Sequence, residues 1–149
     1  MSDTPTHLGP YNGFGFEIPF VLSLGIELHE FADGASLLRF APEPSHLNSF
    51  EVVHGGALMT LLDVTLATAA RSVAPDNGIV TIEMKTSFMQ PAKGPLTGRG
   101  RLIHRTKSLA FTEGTVFNAE GQACVHATGT FRYVRRDQTQ PQSHKPPTD

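Results

Sequence analysis

One long helical pattern, residues 54–73, stands alone in a chain whose other regular segments read as strands, and that constrains the fold more than any other feature. A helix carrying Leu61, Leu62, Val64 and Leu66 must bury an apolar stripe, and the only partners on offer are strands. Pro75 and the turn residues Asp76-Asn77-Gly78 stop it. Before it, residues 24–31 and 36–41 read as two strands joined at Asp33-Gly34, a pair that favours the positive backbone angles of a tight hairpin; Pro42 and Pro44 end the second. After it come four strand-like segments, 79–89, 96–105, 109–118 and 122–134, broken at 91–95, 106–108 and Ala119-Glu120-Gly121. A chain in this order buries its helix only by wrapping an antiparallel sheet around it, which makes the fold class α+β.

Side-chain alternation agrees with that picture. Val80, Ile82, Met84 and Phe88 alternate with Thr81, Glu83, Lys85 and Ser87, which predicts one apolar and one polar face. The last strand sets Ala123, Val125, Ala127, Phe131 and Tyr133 against His126, Thr128, Thr130 and Arg132 in the same way. Small residues on the helix, Ala57, Thr60, Ala67, Ala69 and Ala70, permit close approach to a sheet or a second helix. A chain of 149 residues is most simply one domain, here residues 11–134. The polar segment 1–10 is expected to be a flexible tail, and 135–149, with three prolines and nothing apolar, a disordered one.

Charge and composition exclude several function classes. A net charge of -2 with scattered Lys and Arg offers no basic stripe for a phosphate backbone, so no nucleic-acid partner is expected. The first basic residue is Arg39, and no apolar run approaches the ~20 residues that span a bilayer, so we expect neither a secretory signal nor a membrane partner, and a cytoplasmic location. The single cysteine, Cys124, excludes an intramolecular disulfide and a Cys-based zinc site. His7, His29, His46, His104, His126 and His144 show no metal-binding spacing, and no metal is expected.

The chemistry concentrates around the start of the helix. Asp63 sits among leucines, where an acid is costly unless paired or used. Directly upstream, His54-Gly55-Gly56 opens the helix with two residues that lack side chains, so free N–H groups can approach a carbonyl or an anion closely. Gly55 and Asp63 are eight residues apart, about 12 Å along one helix, and cannot both touch one carbonyl. A second copy packed antiparallel would bring Asp63 of one chain to Gly55 of the other, giving a homodimer with two equivalent sites. Each residue also has a plain structural reading: Asn48 as a turn former, the glycines as packing devices, His54 as a helix cap, Thr81 as an ordinary strand residue.

Taken in order, Asn48, His54-Gly55-Gly56, Asp63, Thr81-Ile82-Glu83-Met84-Lys85, Phe88-Met89-Gln90-Pro91-Ala92 and Lys107-Ser108-Leu109-Ala110-Phe111 give the chain a likeness to a known family. Over residues 24–131 it resembles the hotdog-fold acyl-CoA thioesterases, in the branch that holds the phenylacetate-pathway thioesterases and thioesterase superfamily member 2. The resemblance implies one long central helix wrapped by a curved antiparallel sheet of five to six strands. It implies hydrolysis of an aryl- or short/medium-chain acyl-CoA to free acid and CoA, with no cofactor, since coenzyme A is part of the substrate. Asp63 would be the base or nucleophile and Thr81 would position the water. The Gly55 N–H and the Asn48 side chain would hold the oxyanion, and His54 would orient Asn48 and its loop. Gly56, Arg105, Lys107, Ser108 and Leu109 are expected to contact the coenzyme, whereas Arg99 and Arg101 also suit a solvated strand face. A homodimer is implied, and a homotetramer built as a dimer of dimers is allowed.

Two other functions fit the same chain less well. One is a non-catalytic acyl-CoA-binding protein. The other is an acyl-thioester hydratase or dehydratase, which would normally use a His and an acid as a proton-transfer pair. The apolar run Phe14, Phe16, Ile18, Phe20, Val21 and Leu22 either lines an acyl tunnel or joins the core.

Overall fold

The structure is a computed structural model and describes residues 8–136, so residues 1–7 and 137–149 of the two expected tails lie outside it. A short helix α1 (Pro19–Ser23) precedes the hairpin β1 (Glu27–Ala32) and β2 (Ala35–Phe40). The long helix α2 (Gly55–Arg71) follows, then β3 (Asn77–Phe88), β4 (Leu96–Arg105), β5 (Leu109–Phe117) and β6 (Ala123–Arg135). All six strands form one antiparallel sheet in the order β1-β2-β4-β5-β6-β3, and α2 touches every one of them. The predicted hairpin turn forms as read, with φ of 53° at Asp33 and 79° at Gly34. It is tied down at both ends: the Gly34 N–H donates to Ser72 Oγ at 2.7 Å, and the Gly34 carbonyl accepts from the Leu102 N–H at 2.7 Å.

Close seating of α2 rests on small residues in the sheet as well as on the helix. A Cβ at Gly100 of β4 would lie 2.6 Å from both the Thr65 carbonyl oxygen and Ser36 Oγ. At Gly98 it would lie 2.6 Å from Thr65 Oγ1, at Gly114 of β5 2.8 Å from Leu66, and at Gly129 of β6 3.0 Å from Phe131 and 3.1 Å from Leu66. These glycines form a trench across three neighbouring strands. Leu61, Leu62 and Leu66 are driven into the core formed with Phe40, Val116, Val125 and Phe131, all of them fully buried.

One strand departs from its predicted pattern. In the β3–β6 ladder Thr81 faces Phe131 and Glu83 faces Thr130, so Ile82 is an extra residue in a β-bulge. The bulge reverses the alternation. Val80 and Ile82, expected on the apolar face, point outward at 46% and 54% exposure, while Thr81, expected on the polar face, turns toward α2. Beyond the bulge Met84 returns to the helix side as predicted. Among the described residues no helix is long and apolar enough to cross a membrane.

The trench gives a direct test. Gly100→Ala should lower unfolding stability by about 1–3 kcal/mol, because neither the Thr65 carbonyl nor Ser36 has room to give way. An unchanged urea midpoint would show that α2 does not press on β4 there.

Candidate active site

Asp63 projects from the flank of α2 that the trench leaves open, and its Oδ1 accepts a hydrogen bond from Thr81 Oγ1 at 2.6 Å. The bulge at Ile82 is what aims Thr81 at it. Both line a cleft of ≈ 970 Å³ walled by Phe14, Phe16 and Ile18 from the N-terminal segment, by Met59 and Ala67 from α2, and by Ile79 and Met84 from β3. The N-terminal apolar run serves both the core and the cleft wall: Phe14 and Val21 are buried, while Phe20 is exposed and lines the cleft.

Asn48 and Gly55 line a different cavity, of ≈ 420 Å³, together with Leu58 and the segment 88–92. A tight turn shapes it. Leu47 pairs with Val53, the Asn48 N–H donates to the Val52 carbonyl at 2.8 Å, and Glu51 takes a positive φ of 60°. Asn48 Oδ1 accepts from the N–H groups of Phe50 at 2.9 Å and Val52 at 3.3 Å. That fixes which end of the amide is oxygen and leaves the Nδ2 donors unengaged among the described residues. The Val53 N–H, donating to the Ala92 carbonyl at 3.0 Å, holds the loop against the 88–92 segment.

His54 takes the helix-cap role among its two readings. It makes no hydrogen bond to Asn48; its Nδ1 accepts from the Gly56 N–H at 2.8 Å and caps α2. Its carbonyl accepts from Ala57 at 3.0 Å and Leu58 at 3.1 Å, and its own N–H donates to the His46 carbonyl at 2.8 Å. Three of the four N–H groups in the first turn are thus occupied, and only that of Gly55 has no acceptor among the described residues. Gly56 serves this cap, since a Cβ there would sit 3.1 Å from His54 Nδ1.

The residues predicted to meet the coenzyme lie elsewhere. Arg105, Lys107, Ser108 and Leu109 line neither cavity. The Arg105 guanidinium lies 4.6 Å over the Tyr133 ring, the Ser108 carbonyl accepts from the Tyr133 N–H at 2.9 Å, and the Leu109 N–H donates to Thr106 Oγ1 at 3.0 Å. The Tyr133 hydroxyl donates to the Ala70 carbonyl at 2.7 Å, so this turn stands over the C-terminal end of α2, away from Gly55. Arg101 pairs with Glu113 across the β4–β5 ladder, as a strand-face residue does.

Sequence reasoning missed Arg71. It is 9% exposed at the end of α2, lines the Asp63 cleft, and lies between the rings of Phe16 at 5.1 Å and Phe31 at 4.6 Å. Burial, and then the nearby Arg136, pull its pKa below the ordinary guanidinium value. An arginine in a last helical turn reads as a complement to the helix dipole. The i, i+4, i+8 stripe Asp63-Ala67-Arg71 was the signal that it shares a face with the acid.

A single antiparallel sheet wrapped around one helix, with an acid on the open flank of that helix and, among the described residues, one unengaged amide N–H in its first turn, defines a hotdog-fold protein. The family model described as the thioesterase superfamily matches residues 50–125, and the chain belongs to that superfamily. It is similar to the Saccharolobus solfataricus protein SSO1253, provisionally named an esterase, at 28% identity over 120 residues, 80% of each chain. It is similar also to the medium/long-chain acyl-CoA thioesterase YigI of Escherichia coli K12, at 22% identity over 79% of this chain and 87% of that one. The structure of the Escherichia coli PaaI protein from the phenylacetic acid degradation operon superimposes with a TM-score of 0.74 over 79% of this chain and 86% of that one; at 20% identity the likeness is one of fold.

The cap can be separated from acid–base chemistry. His54→Ala should cost about 1 kcal/mol of stability in thermal melts, and His54→Asn, which can still accept from the Gly56 N–H, should restore most of it. Equal losses in both variants would mean that the side chain holds the fold by some other contact.

Proposed function

We propose that the protein is an acyl-CoA thioesterase that hydrolyses an aryl- or short/medium-chain acyl-CoA, with each active site shared between two subunits. The observation that carries this reading is the Asp63–Thr81 pair in the apolar cleft, together with a free Gly55 N–H and a free Asn48 amide in a second cavity. Among the described residues Asp63 is the one carboxylate in its cleft, fit to take a proton or attack a carbonyl, and a helix N-terminus is the natural host for a developing oxyanion. As general base, Asp63 takes a proton from water as the water oxygen bonds to the carbonyl carbon. The C–S bond then breaks, and the proton passes to the departing sulfur to give free acid and CoA. As nucleophile, it displaces CoA from the carbonyl carbon, breaking the C–S bond, and forms an acyl–carboxylate anhydride that water opens. Both routes pass through an oxyanion held by Gly55 and Asn48. Label from ¹⁸O-water entering the Asp63 carboxyl in a single turnover identifies the second route with water opening the anhydride at the Asp63 carbonyl.

Two features support the homodimer. The acid and the oxyanion donors occupy different cavities of one chain, and β3 is an unpaired edge of the sheet that presents Val80 and Ile82 outward. Antiparallel pairing of two copies would join each acid to the other copy's donors. Lys107 and Ser108, remote from both cavities, would then meet the coenzyme only across a further subunit boundary. We place the enzyme in the cytoplasm with its substrates.

A thiol-release assay over phenylacetyl-CoA, benzoyl-CoA and straight-chain acyl-CoAs tests the activity. Asp63→Ala should reduce turnover by about 10²–10⁴-fold, and folded wild-type protein that binds these thioesters without cleaving them would make it a binding protein. Mixing tests the shared site. Asp63→Ala and Asn48→Ala proteins, each nearly inactive, should regain about a quarter of wild-type activity after joint refolding at equal amounts, because half the dimers then hold one intact site. No recovery would place the whole site within one chain.

A further inference from the structure

The cleft that starts at Asp63 ends at a buried cation. Arg71 lies two helical turns beyond the acid, about 12 Å along the axis, and lines the same cleft. The guanidinium carbon lies over the ring of Phe16 and over that of Phe31. Among the described residues its one hydrogen bond runs from Nη1 to the Pro75 carbonyl, at a long 3.5 Å. Among the described residues no carboxylate pairs with Arg71; the ion pairs there are His29–Glu27, Arg101–Glu113 and His126–Glu113. A second guanidinium, that of Arg136, lines the same end of the cleft, 4.0 Å from the Phe16 ring. Burying the Arg71 cation without a counter-charge among the described residues is costly. An anion bound at this end removes that penalty.

We infer that Arg71 is a specificity-determining residue that binds a distal carboxylate on the acyl group, so that the preferred substrates are thioesters of dicarboxylic acids. The inference rests on the thioesterase reading, which sets the thioester carbonyl at Asp63. The cleft wall is mostly hydrocarbon, with Phe14, Ile18, Val64, Ala67 and Ile79 beside Thr68. A methylene chain or a ring fits such a wall, whereas the amides of a pantetheine arm would lose their hydrogen bonds there. A carboxylate at the far end of that chain meets the planar fork of a guanidinium, which binds it through two parallel N–H···O bonds. The depressed pKa of Arg71 accords with a cation lacking its counter-ion.

The test compares matched pairs of CoA esters, adipyl against hexanoyl, suberyl against octanoyl and sebacyl against decanoyl, in wild type, Arg71→Met and Arg71→Lys. Wild type should favour one ω-carboxyl member by at least about 10-fold in kcat/KM, the worth of a charge-assisted hydrogen bond. Arg71→Met should abolish or invert that ratio, and Arg71→Lys should keep part of it. Melting curves on the variants check that the fold survives, and suberate and octanoate binding by calorimetry gives a readout independent of turnover. Hydrolysis without preference at any length overturns the inference and leaves the thioesterase standing. Equal weakening of both members of every pair in Arg71→Met also overturns it, by assigning Arg71 to the coenzyme or the fold. If nothing is cleaved but suberate binds and Arg71→Met abolishes that binding, the thioesterase reading fails and the carboxylate site stands.

Discussion

Everything in this molecule depends on how closely α2 lies against the sheet. Gly98, Gly100, Gly114 and Gly129 remove the side chains that would hold it off, and Leu61, Leu62 and Leu66 fill the space between. Thr65 sits where the approach is tightest: its hydroxyl faces Gly98, and its carbonyl faces Gly100 while accepting from Ser36 Oγ at 2.7 Å. A helix pressed down on one face has its rotation fixed. The flank with Met59, Asp63, Ala67 and Arg71 is therefore turned to the β3 side, where the sheet ends and the N-terminal segment supplies the facing wall of the cleft. The packing that stabilises the fold and the exposure that creates the cleft are two sides of one arrangement.

Two local irregularities then convert an open flank into a site. The bulge at Ile82 costs one ladder pairing and brings the Thr81 hydroxyl to Asp63, where a regular strand would have presented Val80 and Ile82 to the helix. The half-exposed carboxylate gains a donor without being sealed from water. At the other end, His54 disposes of the first-turn N–H groups so that one remains, and that one belongs to a residue with no side chain to block it. On the proposed reading, this count of donors is what picks out the oxyanion position.

Much of this was legible in the sequence, and what was not has physical causes. The element order, the Asp33-Gly34 turn, the strand 96–105 and the helix start at His54 follow from patterns that local chemistry dictates. Asp63 was legible because an acid among leucines is costly. The bulge was not, because a two-residue period carries no mark of the point where the ladder slips. The glycine trench was not, because Gly98, Gly100, Gly114 and Gly129 lie on three strands and become one feature only once the sheet has formed. Arg71 was hidden by its own normality: a cation closing a helix is what the dipole favours, and only the fold shows Phe16 and Phe31 closing over it. The turn 105–109 was read as a coenzyme contact from its charge and from resemblance, and the structure ties it to Tyr133, whose hydroxyl reaches the Ala70 carbonyl.

On the proposed reading, the length of the helix explains why catalysis would be a property of the assembly. An acid beside the oxyanion donors would oppose the negative charge that those donors exist to stabilise, so the two functions gain from separation within a chain. A rigid helix achieves that separation at no cost in flexibility, and one two-fold axis across its middle restores both partnerships together. The same rod measures the substrate. Its first two turns, from Gly55 to Asp63, span the reacting thioester across the interface, and its last two, from Asp63 to Arg71, span the acyl group within one chain. Chain length and terminal charge are then judged against a single element whose position the glycine trench has already fixed.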